Sequence, residues 1–221
     1  TEAARVTGHF VSGQKPWSVA SVWFDYNQDG YLDLFVVNYL DWSFSNNKVC
    51  GDVGKRLSCS PALYDGLPNI LYRNDGNGTF SDVTKETSIA NHVGKGMSAA
   101  IADYDGDGKT DIFVTNDSER NFLFRNVEGN RFQEVAVETA VAFTEDGIPV
   151  SSMGLDFRDL NNDGHPDVTI TALANETYPL FMNENGGLFV DGTYRAQIGL
   201  PSNTMSGWGN GIFDFDGDGW K

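Results

Sequence analysis

The stretch Asp103-Tyr104-Asp105-Gly106-Asp107-Gly108-Lys109-Thr110-Asp111 runs straight into the apolar Ile112-Phe113-Val114, and its reading decides the fold. Carboxylates stand at positions 1, 3, 5 and 9 of one short loop, with glycine at position 6. Four like charges held within a few ångströms repel one another strongly unless a cation sits among them. An all-oxygen donor set suits a hard cation, and calcium is the expected one; softer metals would want nitrogen or sulfur.

The loop recurs. Asp25-Tyr26-Asn27-Gln28-Asp29-Gly30-Tyr31-Leu32-Asp33 precedes it, Asp159-Leu160-Asn161-Asn162-Asp163-Gly164-His165-Pro166-Asp167 follows it, and Asp214-Phe215-Asp216-Gly217-Asp218-Gly219-Trp220-Lys221 begins a fourth copy. The expected ligands are the side chains of Asp25, Asn27, Asp29 and Asp33, of Asp103, Asp105, Asp107 and Asp111, of Asp159, Asn161, Asp163 and Asp167, and of Asp214, Asp216 and Asp218. The backbone carbonyls of Tyr31, Lys109 and His165 complete three of the shells, so His165 enters by its carbonyl and not its imidazole. About one calcium ion per loop is expected. An EF-hand begins alike, but it takes its bidentate acid at position 12 and continues into a helix. Here the last carboxylate is at position 9, and β-branched and aromatic residues follow.

Outward from the loops the chain is regular. A strand rich in small residues enters each loop (Val19–Trp23, Ser98–Ala102, Met153–Phe157, Trp208–Phe213) and an apolar strand leaves it (Leu32–Val37, Asp111–Thr115, Asp167–Thr171). A third strand ends in a shared L-[FY]-x-N, at residues 71–74, 123–126 and 180–183, and a Gly/Asn turn follows. The fourth strand alternates polar and apolar residues, at 79–83, 131–135 and 188–191. Each unit reads as a four-stranded antiparallel meander. The first loop aspartates are spaced by 78, 56 and 55 residues, and four strands in about 55 residues indicate a β-propeller blade. The long first step holds an insertion at residues 40–68.

The expected fold is thus all-β, one partial propeller domain over residues 1–221 with about three blades plus partial ones. The blades fall at about 17–84, 94–137, 151–193 and 206–221, the last truncated. The segment Glu2–Val6 repeats the pattern found after completed strands, so residue 1 is expected to cut a repeat.

The formal charge of −16 disfavours nucleic acid and acidic membrane surfaces as partners, although thirteen of the 31 acids sit in the four loops. No apolar run is long enough to span a membrane. Cys50 and Cys59 lack zinc or redox spacing; a local disulfide is expected, against two unpaired thiols. With loops suited to millimolar calcium, this places the chain in an extracytoplasmic compartment: secreted, periplasmic or cell-surface. No catalytic motif stands out, and an enzyme is not expected. His9 and His92 read as ordinary surface or turn histidines. Asn77, Asn116 and Asn175 head glycan-acceptor spacings, a weak signal.

The repeated D-x-[ND]-x-D-G-x-x-D, then L-[FY]-R-N, Gly78-Thr79-Phe80 and Asp82-Val83-Thr84, resembles the FG-GAP/VCBS repeats of integrin-α-like propellers. Cys50-Gly51, Cys59, Gly66–Asn69, Gly94–Gly96 and Asn116–Ser118 are similar to the cartilage acidic protein (ASPIC/UnbV) branch. The resemblance implies a seven-bladed ring with calcium in its loops.

In such a meander the calcium loops occupy one rim, and the 40–68 insertion and the inter-blade connections occupy the other. The insertion offers Trp42, Phe44 and Tyr64 beside Lys55 and Arg56, a candidate surface for a protein or glycan ligand, although the same aromatics could simply pack the insertion. The expected function is an adhesion or scaffold module. The alternatives are an accessory subunit with companion chains in a larger extracytoplasmic or membrane-associated complex, and a non-catalytic part of a secreted glycan- or lipid-acting enzyme.

Overall fold

Valine, phenylalanine and tryptophan crowd the segments either side of the first loop, and such residues favour a pleated, half-buried backbone. In a computed structural model, which describes residues 16–127 and 130–221, these segments form a hairpin around the loop. Strand β1 (Ser18–Phe24) pairs antiparallel with β2 (Asp33–Asn38), so that Phe24 faces Asp33. The insertion follows, with a small hairpin of β3 (Cys50–Asp52) and β4 (Lys55–Leu57), a 3₁₀ turn at Pro61–Leu63 and the short β5 (Leu67–Pro68). A disulfide joins Cys50 to Cys59. Strands β6 (Ile70–Asn74) and β7 (Phe80–Asp82) complete a sheet of order β1-β2-β6-β7.

Strand β8 (Val93–Gly94) pairs with β5 at the entry to the second unit. That unit contains β9 (Gly96–Ala102), β10 (Asp111–Asn116), β11 (Phe122–Asn126) and β12 (Phe132–Glu134). The third contains β13 (Leu155–Arg158), β14 (Asp167–Ile170), β15 (Leu180–Glu184) and β16 (Leu188–Asp191). Each is again a four-stranded antiparallel meander in chain order. Among the described residues helix is confined to single turns, such as Gly199–Ser202.

The alternating side chains of the middle sheet join the three units. Ile112, Val114, Phe122 and Phe124 point one way, into a core with Phe24, Phe35, Val37 and Leu71 of the first sheet. Phe113 and Leu123 point the other way, into a core with Phe157, Val168, Ile170 and Phe181 of the third. Strand β10 is therefore buried along its whole length, because both of its faces meet a neighbouring sheet. Burying one such phenylalanine is worth ~2–3 kcal/mol.

The entering strands β1, β9 and β13 lie side by side, together with residues 210–213, around a cavity of about 520 Å³. Small residues let the segments approach on this axis: a Cβ on Gly154 would lie 2.2 Å from the Trp208 carbonyl oxygen. Among the described residues the sheets are not hydrogen-bonded to one another into a closed barrel.

Several sequence expectations need correction. Trp208–Phe213 forms no strand, since no segment among the described residues pairs with it; instead Asn210 Nδ2 donates to the Thr169 carbonyl at 2.7 Å, and the Ile212 amide donates to Asp156. The third entering strand begins at Leu155 rather than Met153, and the fourth strands are three or four residues long. His92 is half-buried, its ring edge-on to Phe122 and Phe124. Asn116 is buried at the end of β10, out of reach of any glycan. Glu2–Val6, His9 and part of the 128–130 turn lie outside the described residues.

Candidate metal centres

The four loops fold alike because their carboxylates take up backbone N–H groups that no strand can pair. The position-1 aspartates do this with both oxygens: Asp103 Oδ1 accepts from the Asp107 amide at 3.1 Å and Oδ2 from the Gly108 amide at 2.9 Å. Asp25, Asp159 and Asp214 make the same pair of bonds in their own loops. The position-5 carboxylates accept from the amide of position 7, as Asp29 does from Tyr31, Asp107 from Lys109, Asp163 from His165 and Asp218 from Trp220. The glycine at position 6 adopts a left-handed φ, +83° at Gly108, a conformation that side chains with a Cβ resist.

The position-9 aspartates play a different part. Asp33, Asp111 and Asp167 are fully buried, and each carboxylate bridges two segments. One oxygen accepts from the loop's own position-2 amide, at Tyr26, Tyr104 and Leu160, and the other from the third-strand asparagine, at Asn74, Asn126 and Asn183. Position 9 thus fastens the loop to the outer half of its sheet. Burial raises the pKa of all three; at Asp111 it reaches about 7, against the pull of its two backbone hydrogen bonds and with help from the charges of Asp105 and Asp107. Such a carboxylate is costly to ionise without a cation beside it.

Carboxylate oxygens of Asp103, Asp105 and Asp111 lie within 4.8 Å of one another, as do those of Asp214, Asp216 and Asp218. Calcium holds its oxygens at about 2.3–2.6 Å, so ligands on opposite sides of one ion stand about 5 Å apart or less. The donor set and its span therefore fit a calcium-sized ion. In the first and third loops position 3 is an asparagine whose amide nitrogen donates to the position-5 carboxylate, at 2.9 Å from Asn27 to Asp29 and 2.8 Å from Asn161 to Asp163. Asp107 stands apart from the Asp103 group and instead pairs with Lys109 Nζ at 2.9 Å. Arg125 also serves the second loop, with Nε 2.6 Å from Asp105 Oδ2. In the sequence Arg125 is only part of a strand ending, and nothing there shows that it reaches back to the second loop.

The shared strand-ending asparagine was likewise read as pattern alone. Asn126 Nδ2 donates to the Tyr26 carbonyl and Asn183 Nδ2 to the Tyr104 carbonyl, at 2.8 and 2.9 Å, so each asparagine ties its own sheet to the preceding loop.

On the insertion, Trp42 packs between Trp17 and Phe44, with ring centroids 5.5 and 5.2 Å away, and Phe44 is almost fully exposed. Tyr64 is half-buried and packs against Lys48 instead: its hydroxyl accepts from the Lys48 amide, and Lys48 Nζ lies over its ring. Lys55 and Arg56 are exposed on the small hairpin and do not join the aromatic row.

Comparison with known proteins bears on the repeats that carry these loops. An FG-GAP-like repeat pattern matches residues 62–114 and 103–170, stretches that include the second and third loops. The chain is similar to cartilage acidic protein 1 of Xenopus tropicalis, at 29% identity over 161 residues, which is 69% of this chain and 24% of that protein. The Mus musculus and Homo sapiens proteins of the same name match over the same length at 28% and 27% identity, covering 24% and 23% of their lengths. The chain thus spans about a quarter of the curated relatives it matches. It carries FG-GAP-like repeats and is related to cartilage acidic protein 1.

Proposed function

From these FG-GAP-like repeats and their converging carboxylates, we propose that the chain is part of a calcium-binding, extracytoplasmic β-propeller that acts as a non-catalytic adhesion or scaffold module. The observation that carries the reading is the placing of Asp103, Asp105 and Asp111 oxygens within 4.8 Å around a carboxylate with no exposure to solvent. Calcium would neutralise that charge, and the position-9 aspartate would pass the gain in order to the third strand. The Cys50–Cys59 disulfide supports an oxidising compartment. Large apolar side chains at the two ends of the array, among them Trp23, Trp208, Phe213 and Phe215, are exposed and suit coverage by further blades of the same ring.

Ligand contact falls to the rim opposite the calcium loops, where Trp42 and Phe44 protrude on the insertion beside Trp17. Protein or glycan is the partner class, since exposed stacked rings serve both. Binding to arrays of glycans and extracellular proteins, in millimolar calcium, tests this. Capture of a ligand that is lost in both Trp42→Ala and Phe44→Ala supports the reading. Ligand binding untouched by either substitution removes the insertion from the interface.

A further inference from the structure

The fourth residue of each loop sorts the loops into two kinds. Gly106 and Gly217 take a left-handed φ of +73° and +76°, where glycine is at ease. Gln28 and Asn162 take nearly the same conformation, at +59° and +60°, although each carries a Cβ. That costs of order 1 kcal/mol, more for glutamine than for asparagine. The chain accepts the strain at the two positions where a side chain leaves its own loop and reaches the next.

The reach is the same in both places. Gln28 Nε2 donates to the Gly108 carbonyl at 2.7 Å, and Asn162 Nδ2 donates to the Gly219 carbonyl at 2.6 Å. Position 4 of one loop thus holds the position-6 carbonyl of the following loop. The peptide so held also presents the N–H that orients the position-5 carboxylate: Lys109 N to Asp107 at 3.0 Å, and Trp220 N to Asp218 at 2.8 Å. A peptide group that accepts at its oxygen donates more strongly through its nitrogen. Asn162 is held from the far side as well, since Lys221 Nζ donates to its Oδ1 at 2.8 Å.

We propose that Gln28 and Asn162 are positioning residues that couple cation binding in adjacent loops, the first to the second and the third to the fourth. The inference rests on the calcium reading above. Gln28 lies between Asn27 and Asp29, so a cation that fixes those two ligands also fixes the strained backbone between them. The side chain is then in place to hold the Gly108–Lys109 peptide before the second loop is filled. By linkage, filling the second loop favours the first to the same degree. The junction between the second and third loops has glycine, Gly106, at position 4 and lacks this side chain. The asparagine ties through Asn126 and Asn183 occur at both junctions and so do not distinguish them.

The test is a calcium titration of the ¹⁵N-labelled chain, with the amide signals of Gly108 and Gly164 reporting on the second and third loops. Disabling the first loop with Asp25→Ala should raise the calcium midpoint of Gly108 roughly fivefold or more and leave Gly164 within about twofold. Gln28→Gly relieves the left-handed strain while removing the donor, and should raise the Gly108 midpoint by the same factor; adding Asp25→Ala should then change it no further. Gln28→Met keeps the bulk without the donor and should match Gln28→Gly. Midpoints at Gly108 within about twofold of the parent in both variants overturn the coupling. Failure of the calcium reading looks different: neither signal would move in the parent chain up to millimolar calcium, and the coupling falls with it.

Discussion

Asp111→Asn separates the two duties of the buried position-9 carboxylate. The substitution keeps one acceptor oxygen and turns the other into an NH₂ that faces a backbone N–H, either that of Tyr104 or that of Asn126, now 3.1 and 2.8 Å from oxygen. Loss of a hydrogen bond to a charged acceptor in a fully buried place costs ~1.5–3 kcal/mol. Part of that is offset without calcium, because burial already opposes the charge that the substitution removes. Calcium adds a further difference. A site with a dissociation constant near ~0.1 mM, in ~1 mM calcium, stabilises the fold by ~1.4 kcal/mol, and the variant forgoes most of it. The gap between parent and variant should therefore widen by ~1.4 kcal/mol on passing from chelator to calcium, or ~3–6 °C in melting temperature for a chain of this size. Thermal and urea melts of both proteins, each with chelator and with calcium, give the four values required. An equal loss in the two conditions would refute the reasoning and leave Asp111 as a structural bridge only.

Three further outcomes follow from the packing. Phe113→Ala, at a fully buried position between the second and third sheets, should cost ~3–5 kcal/mol in urea unfolding; a loss under ~1 kcal/mol would mean that the sheets do not share that core. Opening the Cys50–Cys59 disulfide with a double serine variant releases a closure worth ~2–3 kcal/mol on the chain-entropy view, confined to the insertion. Rapid proteolysis between residues 48 and 60, with the calcium-dependent part of the melt unchanged, is the expected result. Burial lowers the His92 pKa below its unfolded value of 6.5, so protonation favours the unfolded chain. Stability from this source is full above pH 6.5 and is lost as pH falls from there through the folded-state pKa; in chelator, His92→Gln should lose less stability than the parent between neutral and mildly acid pH.

Much of the fold was legible because the signals were local and repeated. The Asp-rich loop, the apolar run after it and the L-[FY]-x-N ending recur in order, and each recurrence fixed a hairpin without knowledge of its neighbours. Even the complete burial of Ile112, Phe113 and Val114 could be read from three consecutive apolar residues. What was missed depends on contacts between units. Residues 208–213 have the composition of an entering strand, but a strand needs a paired neighbour, which composition does not supply. Asn126 and Asn183 read only as strand endings because their targets, the Tyr26 and Tyr104 carbonyls, lie far away in the chain. Tyr64 and the Lys55–Arg56 pair lie near Trp42 in sequence alone; packing sets Tyr64 against Lys48 and carries the basic pair onto a separate hairpin. Gln28 gave no signal by itself; its left-handed backbone and its reach to the Gly108 carbonyl mark it.

Native mass measurement of the chain, exchanged into millimolar calcium and then into chelator, tests the metal assignment most directly. The first three loops each hold position 9 within this chain, so at least three calcium ions per chain should be retained, and chelator should remove them with a fall in melting temperature. A mass equal to that of the bare polypeptide in both conditions, with no change in melting, would contradict the assignment of all four loops.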